Sequence, residues 1–216
     1  MIYNTEIAAK VAESLLQIKA IKLNNNKPFT WASGLKSPIY CDNRITLSYP
    51  DIRTYICQKI VELIEDKFGK VDVIAGVATA GIPQAALVAA AMGLPLIYVR
   101  SSEKKHGMTN KIEGVIKPGQ SVVVIEDLIS TGKSSLNAVD AIRDAGANVK
   151  GMVAIFTYGL KKASDNFENA NCKLVTLSDY ENLVKLATEN NYISDNDLGP
   201  LMEWRKDPQA WSDGKN

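Results

Sequence analysis

Five short apolar runs alternate with helix-patterned segments through the last two thirds of the chain, and this alternation constrains the fold more than any other feature. The runs are VDVIAGV (71–77), LPLIYVR (94–100), SVVVIED (121–127), VKGMVAIFTY (149–158) and KLVTLSD (173–179). Near-continuous β-branched stretches suit strands buried on both faces, which is the situation inside a parallel sheet covered by helices. The helices fall where such a sheet needs them. IPQAALVAAAM (82–92) is closed by Gly93, and SSLNAVDAIRDAGA (134–147) spaces Leu136, Val139 and Ile142 three apart before Gly146. YENLVKLATEN (180–190) has Ser178 and Glu181 at its start, placed as a capping box. The expected fold class is therefore α/β, a mostly parallel central sheet flanked by helices. In such sheets ligands bind beyond the carboxyl ends of the strands, where the loops ATAG, SSEKKHG and EDLISTGKS lie.

The segments before and after this core read differently. From Thr5 to about Ile21, Ile7, Ala8, Val11, Leu15 and Ile18 recur at helical spacing, and a second helix runs from about Tyr49 to Phe68. Between them, residues 24–44 are rich in Gly, Pro, Ser and Asn yet carry Phe29, Trp31 and Tyr40, which predicts short strands and turns. The final stretch, 194–216, spaces Trp204 and Trp211 by charges and is expected to dock and then fray. With 216 residues the chain suits one domain carrying a lobe.

Composition narrows the function by exclusion. A net charge of +1 argues against a general polyanion or nucleic-acid binder, so any phosphate affinity must be local. Cys41, Cys57 and Cys172 are odd in number and lack CxxC pairing, which predicts reduced thiols. The N-terminus has no signal-peptide core, and no run approaches the ~20 apolar residues of a membrane span. A cytoplasmic location is the expectation.

The chemistry concentrates in 122-VVVIEDLISTGKSS-135. A nucleotide P-loop would need glycine five residues before Gly132, and Asp127 stands there, with a charge that would repel a polyphosphate. The segment offers instead a monophosphate cradle. Backbone N–H groups, the hydroxyls of Ser130, Thr131 and Ser134, close approach at Gly132 and a helix start all favour an anion. Glu126 and Asp127 just upstream would repel phosphate unless they accept bonds from hydroxyls or help hold a divalent cation. A ribose 5-phosphate meets both demands.

This stretch resembles the signature of the type I phosphoribosyltransferases, which bind phosphoribosyl pyrophosphate (PRPP). Two further segments sharpen the resemblance. The long run 101–120 follows a strand and holds Lys104, Lys105, His106, Lys111 and Lys117. Its pattern Arg100, Lys104, His106, Gly107 is similar to the mobile catalytic loop of orotate phosphoribosyltransferases, although Ser101 and Ser102 stand where relatives often carry lysine. FTWASGLKSPIYCDNR (29–44) resembles that family's orotate-binding segment, with Ala32 and Ala80 where some relatives have lysine.

The resemblance, which spans about Thr5 to Asn190, implies transfer of a phosphoribosyl group from PRPP to orotate, with release of pyrophosphate and with Mg2+ as cofactor. Arg100, Lys104 and His106 become the catalytic candidates. PRPP is expected on these residues with Lys105, on the turn Thr79, Ala80 and Gly81, and on Glu126, Asp127, Leu128, Ile129, Ser130, Thr131, Gly132, Lys133 and Ser134. Orotate is expected on Ser130, Lys36 and Arg44, the last two compensating for the missing lysines. No protein ligand to the metal is assigned; Mg2+ is expected on PRPP with Glu126 and Asp127 nearby. The resemblance further implies a homodimer whose loop enters the neighbouring site. It implies a hood built from residues 1–45 and the C-terminal segment, over a core at about 70–190. The rival expectations are a purine or uracil phosphoribosyltransferase and a non-catalytic PRPP-sensing module. If Lys104 acts mainly in the transition state, Lys104→Ala lowers kcat far more than it weakens PRPP binding; equal losses in steady-state kinetics and equilibrium binding contradict that role.

Overall fold

The computed structural model describes residues 1–31, 34–100 and 111–215. The chain opens with α1 (Thr5–Gln17), whose first N–H groups at Glu6 and Ile7 donate to the Asn4 side chain. Four short strands follow, β1 (Ile21–Leu23), β2 (Phe29–Thr30), β3 (Lys36–Ser37) and β4 (Ile39–Cys41). They form two antiparallel pairs, β1 with β4 and β2 with β3. A 3-10 turn, Asn43–Ser48, leads into α2 (Pro50–Phe68), which starts on a proline where no N–H is needed. The alternating part then runs β5 (Val73–Val77), α3 (Gly81–Met92), β6 (Leu96–Val99), β7 (Ile112–Glu113), β8 (Ser121–Ile129) and α4 (Lys133–Asp144). It ends with β9 (Asn148–Thr157), α5 (Lys161–Asn169), β10 (Leu174–Asp179), α6 (Tyr180–Glu189), α7 (Asp195–Lys206) and α8 (Pro208–Asp213).

The central sheet has the order β10-β9-β8-β5-β6-β7, parallel throughout except for the antiparallel edge strand β7. All five residues of β5 are buried, as the unbroken apolar run requires. Alternation along β8 divides its side chains between two cores: Val123 and Ile125 pack with α1, α2, α3 and α6, while Val122 and Val124 pack with α4 and α5. From β5 the chain crosses to β6 on one side, and later returns to β8 on the other. That reversal opens a crevice between the carboxyl ends of β5 and β8, the place where open α/β sheets take ligands.

Aromatic rings join the small N-terminal strands to this core. Trp31 stacks on Tyr158 with centroids 5.1 Å apart and meets Trp204 edge-on at 5.7 Å. Tyr158 and Tyr180 complete the cluster against Trp204, at 5.6 and 5.5 Å. The C-terminal helices close over it: the Lys36 N–H donates to Ser212 Oγ at 2.9 Å, and the Asn25 side-chain amide donates to the Asp197 carboxylate.

Several elements depart from the sequence expectation for physical reasons. The first helix stops at Gln17 because Lys19 turns with φ of +57°, and Ile21 enters β1. Ser178 is no cap: it is buried in the sheet and donates to the Ala8 carbonyl, while Asp179 caps α6 by accepting from the Asn182 N–H. A capping box does form, at Ser194 and Asp197 at the start of α7. The tail therefore folds into two helices where fraying was expected. Within the run 101–120, Ile112 and Glu113 pair with β6, so the long loop is shorter than its lack of periodicity suggested. Helix α5 was not anticipated, since KKASDNFEN offers only Ala163 and Phe167 to the core. The three cysteines are free thiols, as expected.

Trp204 is fully buried, and its indole N–H has no partner among the described residues. Trp204→Ala therefore lowers unfolding free energy by about 3–5 kcal/mol in urea titrations. Trp204→Phe, which removes the unpaired N–H along with part of the ring, costs about half of that or less.

Candidate functional site

The crevice is built by two close approaches that only glycine permits. Gly81, the first residue of α3, lies so near β8 that a Cβ there would sit 2.6 Å from the Ile125 carbonyl oxygen. This brings the turn Thr79–Ala80 against the end of β8. Gly132 precedes α4 with φ of +76°, and a Cβ would fall 2.5 Å from Cε2 of Phe167 on α5. The neighbouring Asn166 donates from Nδ2 to the Thr131 carbonyl at 2.9 Å. Helix α5 thus braces the loop 130–132 from behind. Neither α3 nor α4 has a side-chain cap at its N-terminus, so both helices present their first N–H groups toward the crevice. Two such ends beside one another favour two anionic groups on one ligand.

Between them stand the two acids. Glu126 is 6% exposed; its Oε2 accepts from Ser135 Oγ at 2.9 Å and its Oε1 from the Asp127 N–H at 3.1 Å. Burial, reinforced by the Asp127 charge, pushes its carboxyl well above the usual range. Burial raises Asp127 too, against the opposing pull of its bond with Glu126 and the nearby Arg44 charge. The Asn43 side-chain amide donates to the Asp127 carbonyl at 2.7 Å, tying the 3-10 turn to the strand end. Arg44 itself grips Asp42 with two parallel bonds, Nε to Oδ1 at 2.7 Å and Nη2 to Oδ2 at 2.8 Å, which holds the Asp42 carboxyl below its ordinary value.

Comparison with known proteins agrees with this geometry. Residues 48–187 match the family model described as a phosphoribosyl transferase domain. The orotate phosphoribosyltransferase of Listeria innocua is 56% identical over 205 residues, 95% of this chain and 98% of that protein. That of Bacteroides thetaiotaomicron is 57% identical over 204 residues, 94% of this chain and 96% of its own. The chain belongs to the orotate phosphoribosyltransferase family. Among solved structures, the orotate phosphoribosyltransferase of Aeropyrum pernix superposes with a TM-score of 0.73 at 26% identity, covering 85% of this chain and 99% of that one.

With the family shown, the sequence-predicted residues can be located one by one. Thr79, Ala80 and Gly81 lead into α3, Glu126 to Ile129 complete β8, Ser130 to Gly132 form the loop, and Lys133 and Ser134 start α4. They lie at the carboxyl ends of β5 and β8 or just beyond, except that Ile129 is buried in the core under α4 and α5. Arg100 follows β6 and reaches Glu113 on β7 at 3.5 Å. Arg44 flanks Asp127 from the hood side, as its influence on that carboxyl requires. Lys36 lies on β3, where its ammonium donates to Thr30 Oγ1 at 3.1 Å. Lys104, Lys105 and His106, with Ser101, Ser102 and Ala32, lie outside the described residues.

Three residues that hold the site were not anticipated: Ser135, Asn43 and Asn166. Ser135 and Asn43 lie inside segments already singled out, whereas Asn166 is on the unanticipated α5. Which group each bonds depends on contacts between elements far apart in sequence, such as Asn43 with Asp127.

Glu126 keeps a proton in the folded state that the unfolded chain releases once pH passes the ordinary glutamate range, about 4 to 5. The unfolded state then binds fewer protons, so this group lowers stability as pH rises. Glu126→Gln removes that penalty. Its melting temperature should exceed that of the unmodified chain at pH 8, by about 2–4 °C per kcal/mol recovered, with the gap closing toward pH 4. A constant gap across that range contradicts the assignment.

Proposed function

We propose that this chain transfers the 5-phosphoribosyl group of PRPP to orotate, giving orotidine 5′-monophosphate and pyrophosphate in pyrimidine biosynthesis. The observation that carries the reading is the convergence of two uncapped helix N-termini on either side of a buried acid pair. One end suits the 5′-phosphate, held by the loop Ser130–Ser134. The other suits the pyrophosphate, at the turn Thr79–Gly81. Breaking the bond from ribose C1 to pyrophosphate builds positive charge on the ring and negative charge on the leaving group. Asp127 supplies the negative charge near the ribose; Glu126 beside it holds its proton and has both oxygens engaged, so Asp127 is also the better acceptor for ribose hydroxyls. Arg100, Lys104, Lys105 and His106 supply positive charge toward the leaving group.

Under the hood, Arg44 is held by Asp42 through two of its five donors, which leaves three for the orotate carboxylate. Lys36 and Ser130 complete that subsite in this reading. Among the described residues no group of three His, Cys, Asp or Glu side chains gathers that could form a protein cage for a metal. The donor set suits Mg2+ carried on the substrate's own oxygens, with Asp127 and Glu126 beside it. When bound, Mg2+ neutralises charge on the pyrophosphate.

The reading includes one domain over residues 1–216, with residues 1–45 and the C-terminal helices as hood and 101–120 as the catalytic loop. It also includes a homodimer and a cytoplasmic setting; no helix among the described residues is long and apolar enough to cross a membrane. The test is orotate absorbance with purified protein, Mg2+ and PRPP, with uracil and hypoxanthine as parallel acceptors. A PRPP-dependent fall with orotate alone is expected. Turnover with another base, or PRPP binding without turnover on any base, overturns the proposal in favour of a different transferase or a sensor.

A further inference from the structure

Strand β7 places a second cation beside Arg100. Tyr98 pairs with Glu113 and Val99 with Ile112, and the Arg100 N–H donates to the Lys111 carbonyl at 2.9 Å. The antiparallel ladder therefore continues to Arg100 opposite Lys111, and directly opposed residues project from the same face. Both side chains border one enclosed cavity, together with Ala78 before the Thr79–Gly81 turn and with Ser134 and Asn137 on the first turns of α4. Among the described residues no acidic one lines it. Arg100 is loosely held by Glu113, whereas no carboxylate among the described residues lies within ion-pair distance of Lys111. A partly buried lysine sharing a cavity with arginine is repelled by it unless an anion joins them, and the uncapped start of α4 adds to the same positive field.

We propose that Lys111 binds the pyrophosphate leaving group of the transfer reaction, working with Arg100 from the opposite side of the ladder that joins β6 to β7. The inference rests on the phosphoribosyl-transfer reading and adds a residue to it. It gives the site a cation on a hydrogen-bonded strand, held in register by β6. Lysine is suited to the task, since its compact ammonium can reach any of several pyrophosphate oxygens without the fixed fork of a guanidinium.

The experiment uses the full chain with Lys111→Ala, Lys111→Gln and Lys111→Arg, and with Lys185→Ala, on the exposed face of α6, as control. Kinetics are run in both directions, alongside calorimetric titration with magnesium pyrophosphate and, separately, with ribose 5-phosphate. The Ala and Gln variants are expected to raise KM for PRPP and for pyrophosphate, and to weaken calorimetric pyrophosphate binding, by about tenfold. KM for orotate and binding of ribose 5-phosphate stay within about twofold, Lys111→Arg recovers most of the loss, and Lys185→Ala changes nothing. The Gln variant keeps the length of the chain and covers the case in which Ala disturbs β7. Unchanged pyrophosphate binding overturns the proposal, as does an equal loss for ribose 5-phosphate or no recovery with arginine. If the unmodified chain makes no product from orotate, the transfer reading fails while the pyrophosphate titration still decides the role of Lys111.

Discussion

The closest approach of backbone to backbone in the crevice, Gly81 against the Ile125 carbonyl, is what the rest of the site depends on. Any side chain at that position would push α3 away from β8. The turn at Thr79 and the acidic strand end would then separate, and the two helix N-termini would no longer face one ligand. The parallel sheet makes the contact possible, because β5 and β8 are direct neighbours although a helix and two strands lie between them in sequence. Gly132 repeats the device one strand on, with an aromatic ring in place of a carbonyl as the neighbour. Site geometry here is a matter of what is left out of two side chains.

The same region concentrates electrostatic cost. A carboxyl that is 6% exposed, beside a second carboxyl, is an arrangement that folding alone would not favour. Ser135 and the Asp127 N–H offset part of the cost, and Arg44 offsets part of that at Asp127. The remainder is the expected mark of a site tuned for charge that appears only when substrate is bound. Next to it, under the hood strands, the aromatic cluster of Trp31, Tyr158, Tyr180 and Trp204 does the opposite job, supplying buried apolar area where those short strands have little of their own.

Much of this was legible in the sequence, and the limits have physical causes. The strand 73–77 and the run 122–125 within β8 announce themselves because burial on both faces leaves no room for polar residues. The loop 130–134, proposed to hold the phosphate, stands out because an anion cradle demands glycine and hydroxyls in a short space. Helix α5 is hidden because a helix that rests one edge on the core needs only two apolar residues, here Ala163 and Phe167. Ser178 misleads because a serine before a helix has the same letter whether it caps or donates into the sheet, and only the position of Ala8 decides. Strand β7 is too short for any periodicity to register, so the position of Lys111 opposite Arg100 emerges only from the ladder.

Helix α5 carries a consequence for the energetics of recognition. Its Asn166 holds the Thr131 carbonyl and its Phe167 ring fills the space behind Gly132, so contacts within the chain already shape the loop; if it takes the phosphate as proposed, the cost of ordering it falls on folding. A loop of three residues ordered only on binding would spend on the order of 3–6 kcal/mol of affinity in lost backbone freedom. Here that entropy is surrendered once, during folding, and is shared with the packing of α5 on the sheet. The affinity left over can be directed to the part of the ligand that changes during reaction, which is where selective binding accelerates chemistry.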